Sequence, residues 1–164
     1  MQNSTMKNNE ETMCENRINQ AEKEANNMPN SKRTNVATLF GVITALMMDS
    51  PLHNKMSLVN LDWLVMGAIK ANQYRVFRKE GVPVAFASWA FLSDERSKAF
   101  EKGEYILSGD EWNSGDNLWL VDLVAPYGGN EEIIEEIKES IFPDRTMMVL
   151  APSSEKEGYI RLEW

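Results

Sequence analysis

The chain has 164 residues, 43% of them apolar and 26% charged, with a formal net charge of −8. That length suits one domain with a sizeable core, and no apolar run nears the roughly 18 residues of a membrane span. The acid excess excludes generic nucleic-acid binding, because phosphate neutralisation needs a basic face.

Residues 1–33 are rich in Asn, Glu and Lys and almost free of apolar periodicity. They are expected to be disordered or weakly helical up to the break at Pro29, Asn30 and Ser31. They lack the apolar core of a secretory signal. Cys14, the only cysteine, lies in this tail, which leaves no internal disulfide and fits a reducing cytoplasm. Residues 1–34 balance five basic against five acidic groups, so residues 35–164, with 12 basic and 20 acidic, carry the entire −8. A single folded domain is expected over residues 34–164.

From Thr34 onward Val36, Leu39, Phe40, Ile43, Leu46 and Met47 recur at steps of three and four, the spacing of an amphipathic helix. It should stop at Asp49–Ser50, because Pro51 keeps its predecessor out of the α region. The next stretch, DSPLHNKMS, holds His53, the only histidine. Imidazole is the side chain that ordinarily titrates near neutrality, yet a lone loop histidine is most often a surface residue. With one His and no Cys in the folded part, no metal site is expected.

A second helix, apolar almost all round and buried, is expected over Leu58–Asn72. QYRVFRKEGVPVAFASWAFLS reads as a hairpin, with strands over 74–79 and 83–91 and a turn at Glu80–Gly81. Residues 70–79 break the acidic trend with Lys70, Arg75, Arg78 and Lys79 and no acid. They form either a solvated face or a dock for an acidic partner. Ser93 is the expected N-cap of a short charged helix running to about Lys102. LSGDEWNSGD (107–116) is a turn-rich connection that lacks the Lys-Ser/Thr of a phosphate-binding loop. NLWLVDLVAPYG (117–128) is the strongest strand pattern. NEEIIEEIKESIF (130–142) is a helix with acids in its first turn, and strands near 146–151 and 158–163 close the chain. This order describes an α+β or three-layer α/β/α arrangement.

Asp122 interrupts the strongest strand. Apolar neighbours on both sides imply that both strand faces are buried, and a buried carboxylate needs a partner. Two explanations stay open: a half-exposed strand end, since Ala125–Pro126 follow, or a site acid aimed into a cleft and partnered by His53.

SPLH (50–53), AIKANQY (68–74), PVAFASWAFLS (83–93), EWNSGDNLWLVD (111–122) and APYG (125–128) occur in this order and spacing. Together they resemble the RTX toxin-activating lysine acyltransferases, bacterial proteins that convert protoxins to haemolysins by fatty acylation. The resemblance covers roughly residues 36–150. It implies an acetyltransferase-like α/β fold, a mixed sheet flanked by helices. It also implies transfer of a fatty acyl group from acyl carrier protein to the ε-amine of internal lysines on an RTX protoxin. Acylated carrier protein would then be the donor substrate, with no resident cofactor. The family's two catalytic positions fall on His53 and Asp122. Its members are cytoplasmic and often dimeric, so a homodimer is a further expectation. Many continue beyond the point that matches Trp164, which leaves open what such a segment adds to toxin recognition.

The chemistry implied is coherent. A lysine with a pKa of about 10.4 is almost wholly protonated at pH 7, a gap of roughly 4.6 kcal/mol that a base must bridge. A neutral imidazole within reach of the amine takes the proton. Asp122 either orients that imidazole or holds the incoming ammonium. Ser50 either adds a hydroxyl contact or, as slightly preferred, caps the helix end. No Arg/Gln-x-x-Gly-x-Gly/Ala loop is present to cradle coenzyme A, and Lys70, Arg75, Arg78 and Lys79 are the expected dock for an acidic carrier protein. Two other readings compete: an acyl-coenzyme A-dependent N-acyltransferase, and a non-catalytic toxin-binding chaperone, which would need neither His53 nor Asp122.

Overall fold

In the computed structural model the described residues are 30–103, 106–152 and 159–164. The expected polar tail, Cys14 included, lies outside them except for residues 30–33. Packing divides the chain after Leu39, and everything beyond α1 lies within Phe40–Trp164.

Helix α1 spans Asn30–Asp49, beginning four residues before the expected start. Pro, Asn and Ser, which break periodicity, are also residues that begin helices. Its C-terminal half buries Ile43, Leu46 and Met47. Helix α2 joins α-helical Leu58–Leu61 and Gly67–Ala71 through a π turn at Asp62–Met66. Its first turn is not buried as expected, with Leu58 83% and Val59 72% exposed. The buried stripe starts only at Leu64 and continues through Val65 and Ala68. Asn72 stops the helix in a left-handed cap at φ 55°. A Cβ on Gly67 would lie 2.6 Å from Trp112 Nε1, so α2 can rest on that indole only where a side chain is missing. Trp112 itself ends a 3₁₀ turn, Gly109–Trp112, inside the connection that reads as irregular. The Ser108 N–H donates to Glu111 Oε2 at 2.9 Å, one half of a capping box.

Strands β1 (Tyr74–Lys79) and β2 (Val82–Leu92) form the expected hairpin. Glu80 and Gly81 have φ of 52° and 84°, the doubly left-handed geometry that matches strand twist in a two-residue turn. Helix α3 (Asp94–Phe100) follows, its Arg96 N–H donating to Ser93 Oγ at 3.3 Å. Strand β3 is Asn117–Val124. Helix α4 is Asn130–Glu136 with a π turn Ile137–Ile141, and β4 (Met148–Pro152) and β5 (Tyr159–Glu163) complete the set. The five strands make one mixed sheet in the order β1-β2-β3-β4-β5. Among the described strands the β3–β4 pairing is parallel and the other three are antiparallel. The architecture is α/β and compatible with an acetyltransferase-like fold.

On one face of the sheet Ala85, Ala87 and Trp89 of β2 and Leu118 and Leu120 of β3 pack with Ile133 and Ile137 of α4. Burying each such isoleucine contributes roughly 1.5–3 kcal/mol. Trp119 points to the other face, where its indole N–H donates to Ser97 Oγ of α3 at 2.7 Å. Its ring there meets Phe100 edge-on at 5.3 Å.

Two irregularities shape the functional region. Trp89 pairs with Leu120 but Ser88 pairs with Asp122, so Val121 is one residue too many for the ladder. Strict alternation from Leu118 and Leu120 would send Asp122 toward α4. The bulge reverses this: Leu123 and Ala125 pack on the α4 face, and Asp122 turns to the opposite one. The second irregularity lies between β3 and β4, whose parallel pairing consists of Trp119 with Met148 and Leu120 with Val149. Beyond those rungs both strands continue but no longer pair.

Candidate active site

Immediately after α1 the chain makes a tight turn. The backbone N–H groups of His53 and Asn54 both donate to Ser50 O, at 3.0 and 2.9 Å. This turn folds residue 53 inward, so that the His53 side chain is only 6% exposed. Its Nε2 lies 3.0 Å from Asp122 Oδ1, and the Asp122 side chain is itself only 11% exposed. The carboxylate is thus mostly buried and partnered, and not a half-exposed strand end. Ser50 Oγ lies 2.7 Å from His53 Nδ1. Of the two roles open to Ser50, its hydroxyl takes the contact with the imidazole.

These contacts fix a tautomer. An ionised carboxylate can only accept hydrogen bonds, so the neutral ring carries its proton on Nε2 and donates it to Asp122. Nδ1 is then the basic nitrogen, and it accepts the Ser50 hydroxyl. Any proton that His53 takes up must arrive at Nδ1, on the Ser50 side. Among the described residues Asp122 Oδ2 has no hydrogen-bond partner.

The three side chains open onto a cavity of about 740 Å³, within the size range of small-molecule sites. It lies where β3 and β4 part, with Val121, Asp122 and Leu123 on one side and Leu150 and Ala151 on the other. Ser50, His53 and Trp63 close a further wall. Since β3 and β4 are unpaired beyond Leu120 and Val149, backbone polar groups along their facing edges lie beside the cleft. Among the described residues no group of His, Cys, Asp or Glu converges as a metal cage, and no helix is long and apolar enough to cross a membrane.

The four basic residues stand apart from this site. Lys70 lies in the last turn of α2, and Arg75, Arg78 and Lys79 lie on β1, an edge strand. None lines the cavity. Arg75 Nη2 pairs with Glu136 Oε1 at 3.3 Å, and Arg78 Nη1 donates to Gly81 O at 3.0 Å.

Sequence reasoning missed Trp63 in the wall, the bulge at Val121, and a bond from Tyr127 Oη to Asp49 Oδ2 at 2.5 Å. That bond raises the Tyr127 pKa above its ordinary value. No local pattern announces any of the three, because each is created by packing between distant segments.

The mixed sheet, with a histidine hydrogen-bonded at both ring nitrogens beside a cleft between parting parallel strands, puts the chain in the α/β class compatible with an acetyltransferase-like fold. Comparison with known proteins gives that class a family. The RTX toxin acyltransferase family profile matches residues 32–164. The leukotoxin-activating lysine-acyltransferase LtxC of Aggregatibacter actinomycetemcomitans is 36% identical over 126 residues, 76% of this chain and 75% of that protein. The RTX-I toxin-activating lysine-acyltransferase ApxIC of Actinobacillus pleuropneumoniae is 35% identical over 114 residues, 70% of this chain and 66% of its own. The protein-lysine myristoyltransferase HlyC of Escherichia coli is 32% identical over 112 residues, 68% of this chain and 64% of its own. The chain belongs to the RTX toxin acyltransferase family.

Proposed function

We propose that this protein is a lysine acyltransferase that activates an RTX protoxin in the cytoplasm, taking a fatty acyl group from acyl carrier protein. The observation that carries this reading is the His53–Asp122 hydrogen bond of 3.0 Å at the wall of the cleft, in a chain of this family. The thioester-bearing arm of the donor lies extended between β3 and β4, where unpaired backbone groups along both strands can bind it. The substrate lysine approaches from the side of Ser50. Its ammonium cannot attack a thioester, so a proton must leave at or before attack.

The proton passes from the amine to Ser50 Oγ as the Ser50 proton passes to His53 Nδ1. The resulting imidazolium is stabilised by Asp122, whose carboxylate already accepts Nε2–H. The amine nitrogen then forms its bond to the acyl carbon as the C–S bond breaks. The nitrogen's remaining extra proton goes to the carrier thiolate, which leaves as the thiol, and the imidazolium returns its proton to solvent. Asp122 therefore orients the imidazole and does not itself hold the substrate ammonium. Lys70, Arg75, Arg78 and Lys79 form the dock for the acidic carrier protein, away from the cleft. A long arm makes that separation workable.

The test is incubation of the protein with acylated carrier protein and a candidate RTX protoxin, followed by mass spectrometry of the protoxin's lysines. Acyl-lysine should form readily with the native chain and far more slowly with His53→Ala. Equal turnover of acyl-coenzyme A would replace the donor assignment, and full toxin activation by His53→Ala would restore the chaperone reading.

A further inference from the structure

Ser88 lies on β2 in the apolar run VAFASWAFL, and it is fully buried. Its hydroxyl has no hydrogen-bond partner among the described residues, and neither does Asp122 Oδ2. These two orphan groups belong to strand neighbours, since the β2–β3 register sets Ser88 opposite Asp122. Residues directly opposite one another point to the same face, with Cβ atoms about 4.5–5.5 Å apart. A hydroxyl and a carboxylate on such a pair can meet by side-chain rotation alone, or share one water.

The bulge creates this relationship. If the same residues paired in an unbroken ladder, Val121 would stand opposite Ser88 and Asp122 opposite Ala87 on the α4 face. With the bulge, Asp122 gains His53 in front and Ser88 beside it. Ser88 does not line the cavity, so it touches no substrate. Any effect it has on the reaction must run through the carboxylate. That carboxylate needs such a contact, because one bond at Oδ1 leaves its plane free to turn.

We propose that Ser88 is a positioning residue for Asp122: its hydroxyl donates, directly or through one water, to Oδ2 and holds Oδ1 on the His53 ring. Its consequence for rate rests on the acyl-transfer reading above. Its consequence for the imidazole does not.

The chain's single histidine makes the test clean. In ¹⁵N-labelled full-length protein only one imidazole contributes side-chain signals. Ser88→Ala should shift and broaden the His53 Nε2–H signal, and lower kcat by about tenfold or more with KM unchanged, as expected for misplacement of a working group. Ser88→Thr, which keeps a hydroxyl on a strand-compatible side chain, should restore both. Ser88→Cys, of nearly the same shape but a weak donor, should behave as Ser88→Ala and serves if the alanine variant packs poorly. Unmoved imidazole signals in folded Ser88→Ala and Ser88→Cys overturn the proposal, as does a threonine variant that fails to restore them. If the native protein transfers no acyl group, the acyl-transfer reading fails, while the imidazole signals still decide the role of Ser88.

Discussion

Tyr127 Oη donates a 2.5 Å hydrogen bond to Asp49 Oδ2 and so ties the loop after β3 to the last residue of α1. One end of this tie is five residues from Asp122 and the other is adjacent to Ser50, so it spans the two segments that meet at the site. The bond to the Asp49 carboxylate is the main reason the phenol's pKa is raised above 10.0. Folding therefore favours the neutral phenol. The stabilisation is full below the unfolded value of about 10 and is lost as pH climbs through the higher folded value. A phenolate absorbance titration should show a late phase from Tyr127. Tyr127→Phe should remove that late phase and Asp49→Ala should return it to ordinary pH, and an unchanged titration in Asp49→Ala would refute the tie.

His53→Ala should lower the acyl-transfer rate by about 10²–10⁴, the usual worth of a general base. Asp122→Asn should lower it by as much as about 10⁴, because an amide can donate to Nε2 and force the ring proton onto Nδ1. Initial rates of acyl-lysine formation check both. Undiminished transfer by Asp122→Asn would mean that the carboxylate does not set the tautomer.

The chain Ser50–His53–Asp122 could in principle pass an acyl group as well as a proton. In the relay proposed here Ser50 is never acylated. The intact mass of the protein should therefore stay unchanged after exposure to acylated carrier protein alone. Ser50→Ala should slow transfer by about tenfold or more, within the range of acid–base contributions. An acyl adduct mapped to Ser50 would replace the relay with a covalent intermediate.

Charge reversal on the edge strand probes donor docking. Arg78→Glu with Lys79→Glu should raise KM for acylated carrier protein while leaving kcat near native, and the difference should shrink as salt screens the surface. An unchanged KM at low salt removes these residues from the dock. Arg75 is the weaker choice, since its guanidinium is already paired with Glu136.

Gly67→Ala tests the packing that supports the site. The new methyl would meet the Trp112 indole at 2.6 Å, overpacking that typically costs about 1–3 kcal/mol. The denaturant midpoint should fall accordingly with an unchanged slope.

Much of the scaffold was legible because its signals are local. Glu80–Gly81 between alternating strands specifies a hairpin, Ser93 caps the helix that follows it, and the apolar run from Leu118 marks the central strand. The site was legible only as residue types: a lone imidazole, and a carboxylate where none is cheap. Their meeting depends on the bulge at Val121, and periodicity cannot report it, since in an unbroken ladder Asp122 would face α4. The exposed start of α2 was hidden for a related reason. Leu58 and Val59 are as apolar as Leu64 and Val65, and only tertiary packing decides which pair meets the core.

The π turn at Asp62–Met66 accommodates one residue more than ordinary winding would. Were the same residues wound as an unbroken α-helix, everything before the turn would rotate by about 100° relative to Gly67. Trp63 and the preceding SPLH segment would swing out of phase with the cleft, while the hairpin and strand pairing stayed intact. The winding of this helix is therefore as strictly constrained as the identities of the two residues whose meeting it makes possible.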